Sequence, residues 1–133
     1  MNCFQVIAIF CLVIAVRSEN ECKCYGTVLD GSHNTTILTM SYPNTLGCDE
    51  ASEIACKEKC ATRFSAATNE GDLNARPPQL GGMTLGAFVC VKVNDVSNAM
   101  LTVYAQVCQS NYIDTGIKGK ELICCTNKQK HDC

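Results

Sequence analysis

An α+β fold is what this 133-residue sequence predicts, in the form of a small disulfide-rich domain with one main helix packed on an antiparallel sheet. Three observations predict it. Of twelve cysteines, ten follow a short apolar leader, an even and dense set that reads as a disulfide framework in an oxidising route. Several segments are rich in β-formers and bounded by turn residues. A single stretch, Asp49 to Ala67, repeats its cysteines and a phenylalanine at helical spacing.

The leader comes first. Val6 to Val16 is continuously apolar but too short to span a bilayer, and charged, cysteine-rich sequence follows it. Residues 1–18 therefore read as a secretory signal, with Val16 and Ser18 as the small residues before a cut at Glu19. Cys3 and Cys11 leave with it, and residues 19–133 form a single secreted domain. The bridge-forming set is Cys22, Cys24, Cys48, Cys56, Cys60, Cys90, Cys108, Cys124, Cys125 and Cys133. Spacing alone does not fix how they pair.

In "ECKCYGTVLDG", strand alternation places Cys22, Cys24 and Gly26 on one face and Lys23 and Tyr25 on the other. Asp30-Gly31 signals a turn, and "NTTILTMSY" reads as a second strand. Pro43 and Gly47 bracket the next turn. The helix over Asp49 to Ala67 opens with acidic residues, with Asp49 or Ser52 as its cap. Cys56, Cys60 and Phe64 form its inward stripe, which Ile54 and Ala61 are expected to widen; Lys57, Glu58 and Arg63 face water.

Asn69 to Gly82, with Pro77-Pro78 and Gly81-Gly82, is a loop and the largest candidate functional segment. Leu85 to Val93 and Met100 to Cys108 read as an antiparallel strand pair separated by "NDVSNA". On the second of them Tyr104 shares a face with Thr102, Gln106 and Cys108, opposite Val103 and Val107. After a turn around Gly116 and Gly119, a last strand runs from Glu121 to Thr126. Its adjacent Cys124 and Cys125 point to opposite sides, and Cys133 pins a polar tail.

CxC at Cys22 and Cys24 and CxxxC at Cys56 and Cys60 each present two sulfurs on one face, so a strand laid on a helix can take two bridges. The rival pairing gives one helical cysteine to Cys124 or Cys125. Locally the arrangement is similar to the cysteine-stabilised helix and sheet of small toxins and defensins, although there the CxC strand usually follows the helix. These thiols and His131 offer zinc ligands, but the paired CxxC spacing of a structural site is absent and secretion favours oxidation. No metal or cofactor is expected.

Catalysis finds little support in the sequence. "CCTNKQKHD" is superficially similar to the catalytic stretch of secreted phospholipase A2, yet five residues, Thr126 to Lys130, separate the cysteine pair from His131. His33 and His131 are the only histidines, and no serine lies in a nucleophile-elbow pattern. The chain carries 11 basic and 13 acidic side chains, with no basic stripe for nucleic acid or an anionic membrane. Asn34, in "NTT", is the N-glycosylation candidate. The four tyrosines, Tyr25, Tyr42, Tyr104 and Tyr112, are core edges or binding contacts.

ExCxC at Glu21 to Cys24, "CDE...CKEKC" at Cys48 to Cys60, strand-borne Cys90 and Cys108, and "ELICC" at Glu121 to Cys125 together resemble the insect follicle cell protein 3C family. The resemblance implies an extracellular arthropod protein without known catalysis, associated with the eggshell-forming epithelium. Two non-enzymatic roles follow. One is a structural component of eggshell or other extracellular matrix; the other is a soluble binding, inhibitor, or venom or salivary effector protein. Extracellular proteins or matrix components are the expected partners, with no nucleic acid and no membrane among them.

Overall fold

The computed structural model describes residues 21–44 and 47–133. The signal segment and its cleavage site lie outside these residues, as do Thr45 and Leu46 of the turn before Cys48. The fold is an antiparallel sheet carrying one main helix and a shorter one, stapled by five disulfides.

Strands β1 (Glu21–Asp30) and β2 (His33–Pro43) form the first hairpin. Its two-residue turn needs a left-handed first position, supplied by Gly31 at φ 60°. Strand β3 (Val96–Val107) is the centre of the sheet. It pairs with β1 along one edge, and on its other edge with β4 (Ile113–Lys118) near Tyr104 and with β5 (Ile123–Thr126) near Ala99. A last strand, β6 (Gln129–His131), folds back on β5.

Helix α1 (Glu50–Thr68) starts where Asp49 accepts the Ser52 N–H at 3.0 Å, and ends at Asn69 in the left-handed region. Cys56 and Cys60 are its buried anchors, with Phe64 half-buried on the same stripe. Ile54 does not widen that stripe: it is 51% exposed. Two residues before Cys56, it sits roughly 200° around the helix and therefore points away from the sheet.

Leu85 to Val93 is not a strand but helix α2 (Leu85–Val93). Its β-branched composition suits a strand, yet tertiary contacts decide otherwise. Thr84 caps it by accepting the Ala87 N–H at 3.1 Å. Ala75 and Leu73 carbonyls accept the Leu85 and Gly86 N–H groups at 2.8 and 2.9 Å, so the preceding loop satisfies donors that a helix start leaves orphaned. Leu85, Val89 and Cys90 are then buried together. Cys90 is consequently borne on a helix.

The sheet also extends further than expected. Around Gly116 the chain is not merely a turn but strand β4, and the tail forms β6 rather than a linker. The β5–β6 turn, Asn127-Lys128, has positive φ at both residues, the geometry of a type I′ hairpin. It is held against the end of α2, where Asn127 N–H donates to Asp95 and Lys128 N–H to the Asn94 carbonyl.

Two buried clusters fill the interior. One gathers Leu73, Leu80, Leu85, Val89, Leu101 and Ile123 between α2, the Asn69–Gly82 loop and the sheet. The other gathers Cys22, Cys24, Cys56, Cys60, Val103, Ala105 and Val107 under α1. Phe64 packs against both.

Candidate ligand-binding cleft

At the seam between those two clusters the sheet is not fully covered. Helix α1 lies mainly over β3 and β4, and α2 over β5 and β6 with a smaller contact on β2, so the inner face of the edge strand β2 is only partly covered. The result is an apolar cleft of about 50 Å³. Its floor is Cys24, Gly26, Leu101 and Val103, and its α1 wall is Cys60, Arg63, Phe64, Ala67 and Thr68. The far end is closed by Pro77, Leu80, Leu85 and Phe88.

The β2 wall is built by strand alternation and one irregularity. Leu38, Met40 and Tyr42 pair with Gly26, Cys24 and Cys22 and share their inward face. Between Gly26 and Thr27 the register shifts, leaving Ile37 as an extra residue, and Ile37 also lines the cleft. Alternation at Leu38, Met40 and Tyr42 is visible in the sequence; the bulge and the missing cover are not. The Asn69–Gly82 loop, expected as a functional segment, contributes Pro77, Gln79 and Leu80 to the end wall. It is packed rather than free, with Leu73 and Leu80 in the core. At Gly71, a Cβ would stand 2.8 Å from the Lys118 carbonyl at a φ of +83°.

One lining side chain, Tyr42, meets two cations. Tyr42 lies under both Lys59 and Arg63, whose charged ends sit 5.0 and 5.5 Å from its ring centroid. Neither cation makes an ion pair with a carboxylate among the described residues.

The bridges that frame the cleft are Cys22–Cys56 and Cys24–Cys60, both joining β1 to α1. Cys48–Cys108 ties the start of α1 to the end of β3, and Cys90–Cys125 ties α2 to β5. Cys124–Cys133 closes the tail on the opposite side of β5. The sulfurs of Cys22, Cys56 and Cys60 lie within 4.8 Å of one another, a spacing that suits a metal. Here it reflects two bridges side by side, which leave no thiolate to donate.

His33 is exposed on β2, and His131 is exposed on β6. A shallow groove brings His131 near Asp30, Asp95 and Ser97. The imidazole is bonded to Thr126 Oγ1 at 3.0 Å and to the Asp132 carbonyl at 2.9 Å, not to Ser97, so no charge-relay arrangement forms. Asn34 is exposed on β2.

The outer face of the sheet carries the remaining tyrosines. Tyr25 pairs with Tyr104 across β1 and β3 and meets Tyr112 edge-on at 5.2 Å. Tyr25 also donates to Gln106 Oε1 at 3.0 Å. Burial, and secondarily Tyr112, raise the Tyr25 phenol above its ordinary value. Thr102 shares this face but is buried, its hydroxyl 2.7 Å from that of Thr27.

Among the described residues, no helix is long and apolar enough to cross a membrane. Five disulfides fit an oxidising, extracellular environment. No family model, curated protein or solved structure matches the chain.

Proposed function

We propose that this is a secreted, non-catalytic binding protein whose disulfide frame holds an apolar cleft open for a small ligand. The supporting observation is the seam between α1 and β2, where Ile37, Leu38, Met40 and Phe64, each half-buried, line an apolar opening. Collapse would gain burial energy, but two bridges from β1 to α1 fix the helix on the sheet and oppose it.

Titration with the neutral fluorophore N-phenyl-1-naphthylamine tests the reading. The expected result is saturable binding at one site per chain, abolished in Ala67→Trp, which fills the α1 wall. Circular dichroism establishes that the variant is folded. Equal binding to both proteins, or none to the wild type, would end the cleft reading.

A second reading is a structural component of eggshell or another extracellular matrix. The cysteine spacing that resembles the follicle cell protein 3C family supports it, as does Tyr112, 63% exposed beside Tyr25. Glycosylation at Asn34, on exposed β2, is compatible with either role. Immunolocalisation to an extracellular layer, with extraction only after reduction, would favour this second role. Freely soluble protein in a secretion would favour the binder.

A further inference from the structure

We propose that the Cys124–Cys133 bridge is a thiol-exchange site, where a small-molecule thiolate of the glutathione class attacks the Cys133 sulfur and displaces Cys124. Access singles out two bridges. In Cys22–Cys56, Cys24–Cys60 and Cys90–Cys125 both residues are buried. Cys48–Cys108 and Cys124–Cys133 each have one exposed member, Cys48 and Cys133. The first closes a separation of 60 residues and the second one of 9, so opening the second costs the fold less. Cys133 also lies beyond the end of β6 at His131, and it can swing aside without breaking the β5–β6 pairing.

The leaving side carries the more specific geometry. Val96 pairs with Cys125 and Ala99 with Ile123, so Ser97 and Asn98 of β3 together stand opposite Cys124 in a bulge. Asn98 occupies the left-handed region, at φ 52°, a conformation few residues other than glycine adopt. Its backbone N–H donates to the Cys124 sulfur at 3.2 Å, and its side-chain Oδ1 lies 4.0 Å from the same sulfur. Cys124 is 3% exposed, and burial opposes a charge on its sulfur. The Asn98 N–H offsets that penalty, because a hydrogen bond to an ionised acceptor is stronger than one to a neutral acceptor.

Exchange then runs in one direction. The incoming thiolate forms a new S–S bond to Cys133 as the Cys124–Cys133 bond breaks, and the electron pair leaves on the Cys124 sulfur. One disulfide is exchanged for another, with no net oxidation. The Asn98 N–H holds the departing thiolate; after solvent protonates it, the thiol donates to Asn98 Oδ1. Burial of Cys124 shields the other sulfur and leaves one side of the bridge open, which favours a small thiol over one carried on a folded protein.

Incubation of the mature secreted protein with reduced glutathione at neutral pH, without denaturant, tests the assignment. Iodoacetamide then blocks free thiols, and peptide mass mapping locates each group. The expected first product carries glutathione on Cys133 and the iodoacetamide label on Cys124, with the other four bridges intact. Asn98→Val, whose branched side chain disfavours positive φ, should react about tenfold more slowly. Asn98→Gly keeps both the N–H and the backbone conformation, and should stay within about twofold of the wild type. Circular dichroism establishes that both variants are folded.

First opening at Cys48–Cys108, or glutathione on Cys124, would overturn the site. Resistance of all five bridges, or their simultaneous loss, would do the same. An Asn98→Val rate equal to or above the wild type would remove Asn98 from the step. Equal slowing in Asn98→Gly and Asn98→Val would overturn the role of the backbone N–H.

Discussion

Asp49 shows what a single side chain contributes at a helix end. Its Oδ1 accepts from both the N–H and the hydroxyl of Ser52, each at 3.0 Å. Those bonds favour the ionised form and hold its pKa below the usual carboxylate value. Because the folded value is depressed, the stabilisation is present above the unfolded pKa and disappears as pH falls through the folded one. Asp49→Asn keeps an oxygen cap but does not titrate. Its melting temperature should therefore fall less steeply than that of the wild type between neutral pH and roughly pH 2. Parallel melting curves for the two proteins across that range would show that Asp49 ionisation contributes nothing. The cap was visible in the sequence because an acidic residue precedes a helical stripe. The outward position of Ile54 was also computable from helix geometry, since it lies off the axis shared by Cys56 and Cys60.

Helix α2 is the element where local preference and tertiary context disagree. Its nine residues include three valines, a phenylalanine and a glycine, and isolated helices of that length are marginal in water. The Thr84 side chain and the carbonyls of Leu73 and Ala75 supply the missing partners at its start. Thr84→Ala should destabilise the protein by about 1 kcal/mol in urea unfolding, and Thr84→Ser by much less. Equal losses for the two would mean that the threonine methyl group, not the cap, matters. A Cβ at Gly86 would meet the flexible end of Lys130, which can swing aside, and the Leu73 carbonyl at 3.3 Å. Thr84 followed by Leu85 and Val89 at spacing four was the available helix signal, overshadowed by β-formers. Strand β2 was easier to read, since its composition and the Asp30-Gly31 turn agree with its position as a hairpin partner. The bulge at Ile37 depends on how β2 meets β1 and leaves no local mark.

For the molecule as a whole, stability depends on how much chain each bridge restrains. Cys48–Cys108 encloses a separation of 60 residues, whereas Cys124–Cys133 encloses 9. In the chain-entropy account, the logarithm of that ratio makes the longer bridge worth about 1.7 kcal/mol more. Replacing each pair with serines should reproduce that order in urea midpoints. A larger loss from the tail bridge would show that it supports β5–β6 packing beyond closing a loop. The cleft belongs to this scale too. It exists because α1 and α2 cover different parts of one sheet and cover β2 only in part.

By itself, the sequence determined the α+β class, the main helix, the first hairpin and the cysteine set, together with the facing geometry of CxC and CxxxC. Each follows from periodicity or turn chemistry within a few residues. Only the tertiary structure decided the partners of the ten cysteines, the helical state of Leu85 to Val93, and the meeting of Tyr42 with Lys59 and Arg63. These depend on contacts between segments far apart in the chain, where burial and hydrogen bonding to distant groups outweigh the small energies of local preference.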